Sequence, residues 1–135
     1  MSILQTKRSV LVVDDQDAVR DVICRSLVKR GYDVVTASSG TDALAKAEQR
    51  AFDVFLLDIR MPGMNGLEVL RRIRMEYPNA VVIMLTAVDD KESKIQSTAM
   101  GIGAFAYLTK PCKLKDLEDT IRSAFRQEED FWNEL

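Results

Sequence analysis

The sequence contains no histidine among its 135 residues. This absence excludes catalysis by Ser-His-Asp or Cys-His arrangements, because both use an imidazole as the general base. It also excludes any metal site with a histidine ligand. Chemistry at this chain therefore has to come from other polar side chains.

Cysteine and net charge are also low. The two cysteines, Cys24 and Cys112, lie far apart and in different predicted elements, so we interpret them as reduced, partly buried thiols. The formal net charge is −2, with acidic and basic residues interspersed, and direct nucleic-acid binding would need clustered Lys and Arg. No apolar stretch approaches the length of a membrane span, so we expect no contact with a membrane.

The length of 135 residues predicts one compact domain that folds without disulfides or a structural metal. The amino-terminal apolar run passes straight into paired aspartates. That pattern is typical of a buried strand and not of a signal peptide, which favours the cytoplasm.

Five short apolar runs predict five strands, because each is rich in β-branched or aromatic residues. The runs cover residues 9–14, 32–37, 53–58, 80–86 and 104–109. The first, third and fourth are apolar almost throughout, which is typical of parallel strands buried on both faces. Segments of helical period lie between the runs. This alternation predicts an α/β fold, a doubly wound parallel sheet with helices on both faces.

Local signals predict where the helices begin and end. The predicted starts are Ser39, the pair Asn65 and Glu68, and the pair Asp89 and Glu92. Gly31 and Gly101 stand where a helix would end in a left-handed residue. An apolar stripe at Val19, Val22, Ile23 and Leu27 predicts the buried face of the first helix. We expect the last residues to extend the final helix, with Phe131 and Trp132 packed back on the domain; the alternative is that these two residues contact a partner.

Polar side chains stand where the predicted strands end. Asp14 and Asp15 end the first strand, Asp58 the third and Thr86 the fourth, and Thr109 and Lys110 end the fifth. In a doubly wound sheet of order 2-1-3-4-5, ligands bind at the carboxyl ends of the strands near the first and third. Each residue alone is more often a turn, cap or solvated loop residue. The joint pattern of three carboxylates, a hydroxyl and an ammonium at one edge instead indicates a site.

The chemistry of this set fits phosphoryl transfer. Three clustered carboxylates repel one another and need a cation. Oxygen ligands suit a hard ion such as Mg²⁺, which also takes phosphate oxygens. A carboxylate can itself be the nucleophile and form an aspartyl phosphate, a reaction that depends mainly on positioning and charge neutralisation.

Four strings carry a resemblance to a known family. VLVVDD, LLDIRMPGMNG, VVIMLTA and AYLTKP resemble the receiver domain of two-component response regulators, the CheY-like (βα)5 fold. The similarity runs from about residue 8 to about residue 127, in order and with family-like spacing. It implies a single receiver domain over residues 1–135, with residues 128–135 as an extension or tail.

The resemblance implies an acceptor and a metal site. Asp58 would accept the phosphoryl group. Asp15 would bind Mg²⁺ (or Mn²⁺) directly, and Asp14 mostly through water. Asp58 and the backbone carbonyl of Arg60 would complete the protein ligands. The domain would then be no enzyme in the ordinary sense, because it would catalyse only its own phosphorylation and dephosphorylation.

The resemblance also implies a switch. Thr86 would move to the phosphoryl group, Tyr107 would turn inward behind it, and Lys110 would contact the phosphoryl oxygens. Pro111 would follow a cis peptide bond. Read alone, Tyr107 is a half-buried strand aromatic and Pro111 opens the last helix. Gly63 and Gly66 read as loop glycines in either case.

The implied partners are proteins. A histidine kinase or a phosphotransfer protein would donate the phosphoryl group, and a downstream protein or an output domain would respond to it. A homodimer is compatible with the sequence.

Two alternatives remain at this point. A phosphatase of the haloacid dehalogenase type also uses an aspartate nucleophile, a hydroxyl, a lysine and Mg²⁺, with Asp15 and Asp17 as the aspartate pair. That alternative leaves Asp58 without a role, and no acidic pair follows a predicted strand beyond Lys110. The other alternative is a receiver that is never phosphorylated and serves only as a protein-interaction module.

Overall fold

The structure, a computed structural model, describes residues 7–87 and 92–134. Strands and helices alternate along these ranges. The strands are β1 (Ser9–Val13), β2 (Asp33–Ala37), β3 (Val54–Leu57), β4 (Val81–Ala87) and β5 (Ala106–Lys110). The helices are α1 (Asp17–Lys29), α2 (Gly40–Gln49), α3 (Gly66–Glu76), α4 (Glu92–Ile102), α5 (Leu114–Ala124) and α6 (Arg126–Glu134).

The strands form one parallel sheet in the order β2-β1-β3-β4-β5, as predicted. Its register aligns the carboxyl ends of the strands. Val13 at the end of β1 pairs with Ala37 of β2 and Leu57 of β3. The residues that follow Val13 and Leu57, which are Asp14 and Asp58, therefore emerge side by side at one edge of the sheet.

The core has two layers, one on each face of the sheet. In β1, Leu11 and Val13 pack into one layer, and Val10 and Val12 pack into the other. All five residues of β1 and all four of β3 are buried. This two-sided burial explains why these strands read as continuous apolar runs without polar alternation.

Most of the predicted helix boundaries are confirmed. Ser39 caps α2 by accepting a hydrogen bond from the Asp42 amide at 3.1 Å. Asn65 caps α3 by accepting one from the Glu68 amide, also at 3.1 Å. Gly31 follows the end of α1 with a positive φ of 93°, which favours glycine. The predicted start at Asp89 lies outside the described residues.

Three sequence predictions were wrong in detail. Gly101 lies inside α4, and the glycine with positive φ is Gly103, just after the helix ends. Val22 is 54% exposed, because the buried face of α1 centres on Ile23 and Leu27. The carboxyl-terminal residues do not extend the preceding helix, because α5 ends before Phe125 and a separate helix, α6, follows.

The aromatic residues near the carboxyl terminus have separate outcomes. Phe131 on α6 is one of the exposed large apolar side chains, at 58% exposure. The side chain of Trp132 lies outside the described part of the structure. Phe125 is half-buried, and the Arg8 guanidinium lies 3.9 Å from the centre of its ring.

Within the two described ranges, no helix is both long enough and apolar enough to cross a bilayer.

Two glycines give a matched test of packing. A Cβ at Gly66 would lie 2.7 Å from Ile59 Cα, whereas in the described part of the chain a Cβ at Gly101 would meet no atom within 4 Å. Gly66→Ala should therefore destabilise the fold by about 1–3 kcal/mol through overpacking. Gly101→Ala should stabilise it by up to about 1 kcal/mol, because alanine favours the helix. Urea denaturation measures both, and equal effects would contradict this account.

Candidate functional site

Asp14 is held at the carboxyl end of β1 by its own backbone. Its amide donates to the Ala37 carbonyl at 3.2 Å, which extends the pairing with β2 by one residue. Its Oδ1 accepts a hydrogen bond from the Gln16 amide at 2.9 Å, so the chain turns sharply there. The Asp14 side chain is buried, whereas Asp15 faces solvent. Two consecutive carboxylates, one buried and one exposed, thus place oxygen atoms that can bind a cation at the same edge of the sheet.

Asp58 occupies the equivalent position after β3. Its amide donates to the Val13 carbonyl at 3.1 Å, which places it beside Asp14. Its Oδ1 accepts hydrogen bonds from the Arg60 amide at 3.2 Å and from the Thr86 hydroxyl at 2.9 Å. Asp58 is 7% exposed and Thr86 is 2% exposed. Asp58 therefore lies at the centre of a polar cluster at the rim of the core.

Lys110 supplies the positive charge of the cluster. Its Nζ lies 2.5 Å from Asp14 Oδ2 and 3.3 Å from Asp58 Oδ2. Burial by itself lowers the pKa of Lys110, but the hydrogen bond to Asp14 and the charges of both carboxylates outweigh it, so the pKa lies above its ordinary value. The ammonium is therefore fully charged at neutral pH and joins the ends of β1, β3 and β5.

Pro111 and Tyr107 lie on either side of Lys110. The Lys110–Pro111 peptide bond is cis, as predicted. Tyr107 pairs with Met84 across β4 and β5, and its half-buried side chain packs against the core layer that contains Met84 and Phe55. Tyr107 therefore lies on the strand next to that of Thr86, two residues before Thr109, which pairs with Thr86.

The backbone of Arg60 also reaches the cluster. The hydrogen bond from its amide to Asp58 brings residues 59 and 60 around the Asp58 carboxylate. The chain then returns, because the Gly66 amide donates to the Ile59 carbonyl at 2.8 Å. Gly66 is thus the first residue of α3, pressed against the segment that follows Asp58, and the sequence prediction of an ordinary loop glycine was wrong.

The donor set fits a hard divalent cation. One carboxylate oxygen from each of Asp14, Asp15 and Asp58 lies within 4.8 Å of the other two. Among the side chains that the structure describes, this is the one group of three acidic residues close enough to share an ion. In the same described set, Lys110 is the one cation paired with these three carboxylates, so negative charge exceeds positive charge by two among the paired groups. Carboxylate oxygens are the ligands that Mg²⁺ and Mn²⁺ prefer.

Sequence reasoning missed one residue near this cluster. Arg20 of α1 donates from Nη1 to the backbone carbonyl of Asp14 at 2.6 Å and forms an ion pair with Asp17. The spacing of Asp17 and Arg20 on a helix indicates their ion pair from the sequence. The bond to a backbone carbonyl leaves no sequence signal.

Comparison with known families identifies the chain. The model of the response regulator receiver domain matches residues 10–122. The chain belongs to this family. The resemblance seen in the sequence is therefore confirmed, and the chain is a receiver domain, a phosphoacceptor module of two-component signalling.

Curated relatives extend beyond the receiver domain. The chain is 39% identical over 121 residues to the uncharacterized transcriptional regulatory protein YkoG of Bacillus subtilis, covering 90% of this chain and 52% of that protein. It is 34% identical over 122 residues to the alkaline phosphatase synthesis transcriptional regulatory protein PhoP of Bacillus subtilis, covering 90% and 50%. The chain therefore spans about half the length of the curated relatives it matches.

Solved structures match over nearly their whole length. The chemotaxis protein CheY4 of Vibrio cholerae superposes with a TM-score of 0.81 at 35% identity, covering 88% of this chain and 99% of that one. The response regulator TrrA of Thermotoga maritima, solved with Mg²⁺ and BeF, gives a TM-score of 0.77 at 34% identity, covering 87% and 98%. The CheY-like fold of the receiver domain is thus confirmed.

Removing one carboxylate should weaken cation binding. Asp15→Asn keeps the shape of the side chain and removes a ligand charge, so we expect its affinity for Mn²⁺ to fall by about 10- to 100-fold or more. Electron paramagnetic resonance of free Mn²⁺ measures this affinity. Asp33→Asn is the control, because Asp33 pairs with Arg50 at the start of β2, whereas the cluster lies at the carboxyl ends of the strands. Equal affinities in the two variants would rule out Asp15 as a ligand.

Proposed function

We propose that this receiver domain is a phosphoryl switch in which Asp58 is the acceptor. The observation that carries the proposal is the geometry around Asp58. Its carboxylate lies within 3.3 Å of the Lys110 ammonium and 2.9 Å of the Thr86 hydroxyl, and it shares the acidic cluster with Asp14 and Asp15. Each group that an aspartyl phosphate needs is therefore within reach of one carboxylate.

The proposed cation is Mg²⁺, or Mn²⁺ in its place. Asp14, Asp15, Asp58 and the backbone carbonyl of Arg60 would hold it. Bound there, it would offset the charge of the carboxylates and of the phosphoryl oxygens. Family members bind Mg²⁺ in an acidic pocket of this kind, which supports the assignment.

The covalent step is a displacement at phosphorus. An Asp58 carboxylate oxygen attacks the phosphorus of a phosphohistidine or of a small acyl phosphate. The bond from phosphorus to the donor nitrogen or oxygen breaks, and the donor leaves with its electron pair. Lys110 then exchanges a contact with Asp58 for one with a phosphoryl oxygen. The domain thus promotes only its own phosphorylation and the hydrolysis that reverses it.

The proposed partners follow from this chemistry. Receiver domains interact with histidine kinases and with output domains. For this chain, a histidine kinase or a phosphotransfer protein would be the donor. A downstream protein, an output domain or a second copy of the domain would respond to the phosphoryl group, without direct contact between the receiver and nucleic acid.

The switch would run from Thr86 to Tyr107. In the structure, the Thr86 hydroxyl donates to Asp58 Oδ1. A phosphoryl group adds strong acceptor oxygens to Asp58, so the hydroxyl would donate to one of them instead. The resulting shift of β4 would change the packing of Tyr107 on β5, because Tyr107 pairs with Met84 of β4. This change biases a two-state element that a partner can read.

Phosphorylation itself is tested with acetyl phosphate and Mg²⁺. The native chain should gain the mass of one phosphoryl group by intact-mass spectrometry, and Asp58→Asn should gain none. Asp33→Asn should behave as the native chain, because Asp33 begins β2 at the far edge of the sheet.

The same experiment separates the alternatives. A native chain that gains no phosphoryl mass would indicate a receiver used only for protein contacts. Turnover of a phosphate ester that survives Asp58→Asn would indicate a phosphatase of the haloacid dehalogenase type.

The switch is tested with a beryllofluoride adduct, which imitates the phosphoryl group. The adduct should shift the amide resonances of residues 86 and 107 in the native chain. Thr86→Val should suppress the shift at Tyr107, because the hydroxyl that links the two is gone. Thr120→Val is the matched control, since the Thr120 hydroxyl only donates to Asp116 within α5. An undiminished shift at Tyr107 in Thr86→Val would contradict the proposed coupling.

A further inference from the structure

Two neighbouring carboxylates of the cluster depend on the orientation of one peptide group. Asp14 is buried and Asp15 is exposed, although a single peptide bond joins them. The carbonyl of that peptide belongs to Asp14. Because a peptide group is planar, whatever fixes this carbonyl also fixes the positions of the Asp15 amide and Cα, from which the Asp15 side chain starts.

Arg20 fixes this carbonyl. Its Nη1 donates to Asp14 O at 2.6 Å, while its backbone amide donates to the Gln16 carbonyl at 3.1 Å. The side chain is only 16% exposed, so water does not freely replace the bond. Arg20 therefore ties the first turn of α1 to both ends of the segment 14–16.

The charge of Arg20 alone would oppose a cation. A guanidinium near three carboxylates competes for the same negative charge. Asp17 reduces this effect, because its carboxylate forms an ion pair with the other end of the guanidinium. Arg20 would therefore contribute by fixing positions. Its planar guanidinium can bind the Asp14 carbonyl and the Asp17 carboxylate at the same time.

We propose that Arg20 is a positioning residue for the cation site. It holds the Asp14–Asp15 peptide so that the ligand oxygens of Asp14, Asp15 and Asp58 stay within reach of one ion. This inference rests on the proposed function and assigns part of its cation affinity to a residue that does not touch the ion.

The test measures Mn²⁺ affinity in Arg20→Met by electron paramagnetic resonance. Loss of an outer partner of this kind typically costs about 10- to 100-fold in metal affinity, and we expect a loss in that range. The Mg²⁺ concentration that gives half-maximal phosphorylation by acetyl phosphate should rise by the same factor.

Arg25→Met is the matched control. Arg25 lies on the same helix, pairs with Asp21 four residues earlier and is 78% exposed at its side chain. Its loss removes the same charge from α1 without touching segment 14–16. An Mn²⁺ affinity in Arg20→Met equal to that of Arg25→Met, or tighter than that of the native chain, would overturn the proposal.

Arg20→Lys separates geometry from charge. Lysine keeps the positive charge and loses the fork, so positioning predicts weaker Mn²⁺ binding in this variant as well. Native affinity in Arg20→Lys would show that charge alone matters and would also overturn the proposal. Circular dichroism verifies that each variant is folded, and Arg20→Lys decides the question if Arg20→Met is not.

Measurements on the native chain distinguish failure of the proposed cation site from failure of the proposed role of Arg20. If it binds no Mn²⁺, the proposed cation site fails, and the role of Arg20 fails with it. If it binds Mn²⁺ and gains a phosphoryl group while Arg20→Met matches Arg25→Met, only the role of Arg20 is wrong.

Discussion

The site depends on one electrostatic constraint, the crowding of three carboxylates, two of which contact the ammonium of Lys110. Asp14 and Asp58 have little access to water, and Lys110 lies between them. Such a cluster is costly unless further positive charge is available. A divalent cation would offset this negative charge and could also neutralise the oxygens of a phosphoryl group. The cluster is therefore costly for the stability of the fold but suited to binding a cation and accepting a phosphoryl group.

The sheet gives this cluster its rigidity. The backbone pairing of the strands continues one residue beyond β1 and β3, because the amide of Asp14 donates to Ala37 and that of Asp58 donates to Val13. The two acids are thus fixed by the same hydrogen bonds that hold the sheet together. Asp15 lies one residue beyond this pairing, which is why an additional contact such as that of Arg20 matters for it. Sites supported by strands and by outer partners keep their geometry best.

The sequence carried the features that depend on chain order and period. Unbroken apolar runs predicted strands buried on both faces, and polar residues at their ends predicted where Asp14, Asp58 and Lys110 would meet. Features that depend on tertiary approach carried no such signal. Gly66 needs to be glycine because the chain after Asp58 folds back against it, and a sequence shows only a glycine in a loop. The end of α4 was placed two residues early, because Gly101 and Gly103 are equally good terminators until packing selects one.

The hydrogen bond between Thr86 and Asp58 has a consequence for reversibility. The hydroxyl already has an acceptor before any phosphoryl group arrives, so the proposed transition exchanges one acceptor for another and does not create a contact from nothing. The free-energy gap between the two arrangements would then be a difference between two hydrogen bonds, and so smaller than the contribution of either one. A gap of that kind leaves both states populated, so a bound protein can draw the domain toward either of them. Thr86 would in this way make the conformation of the domain respond to a bound protein as well as to phosphorylation.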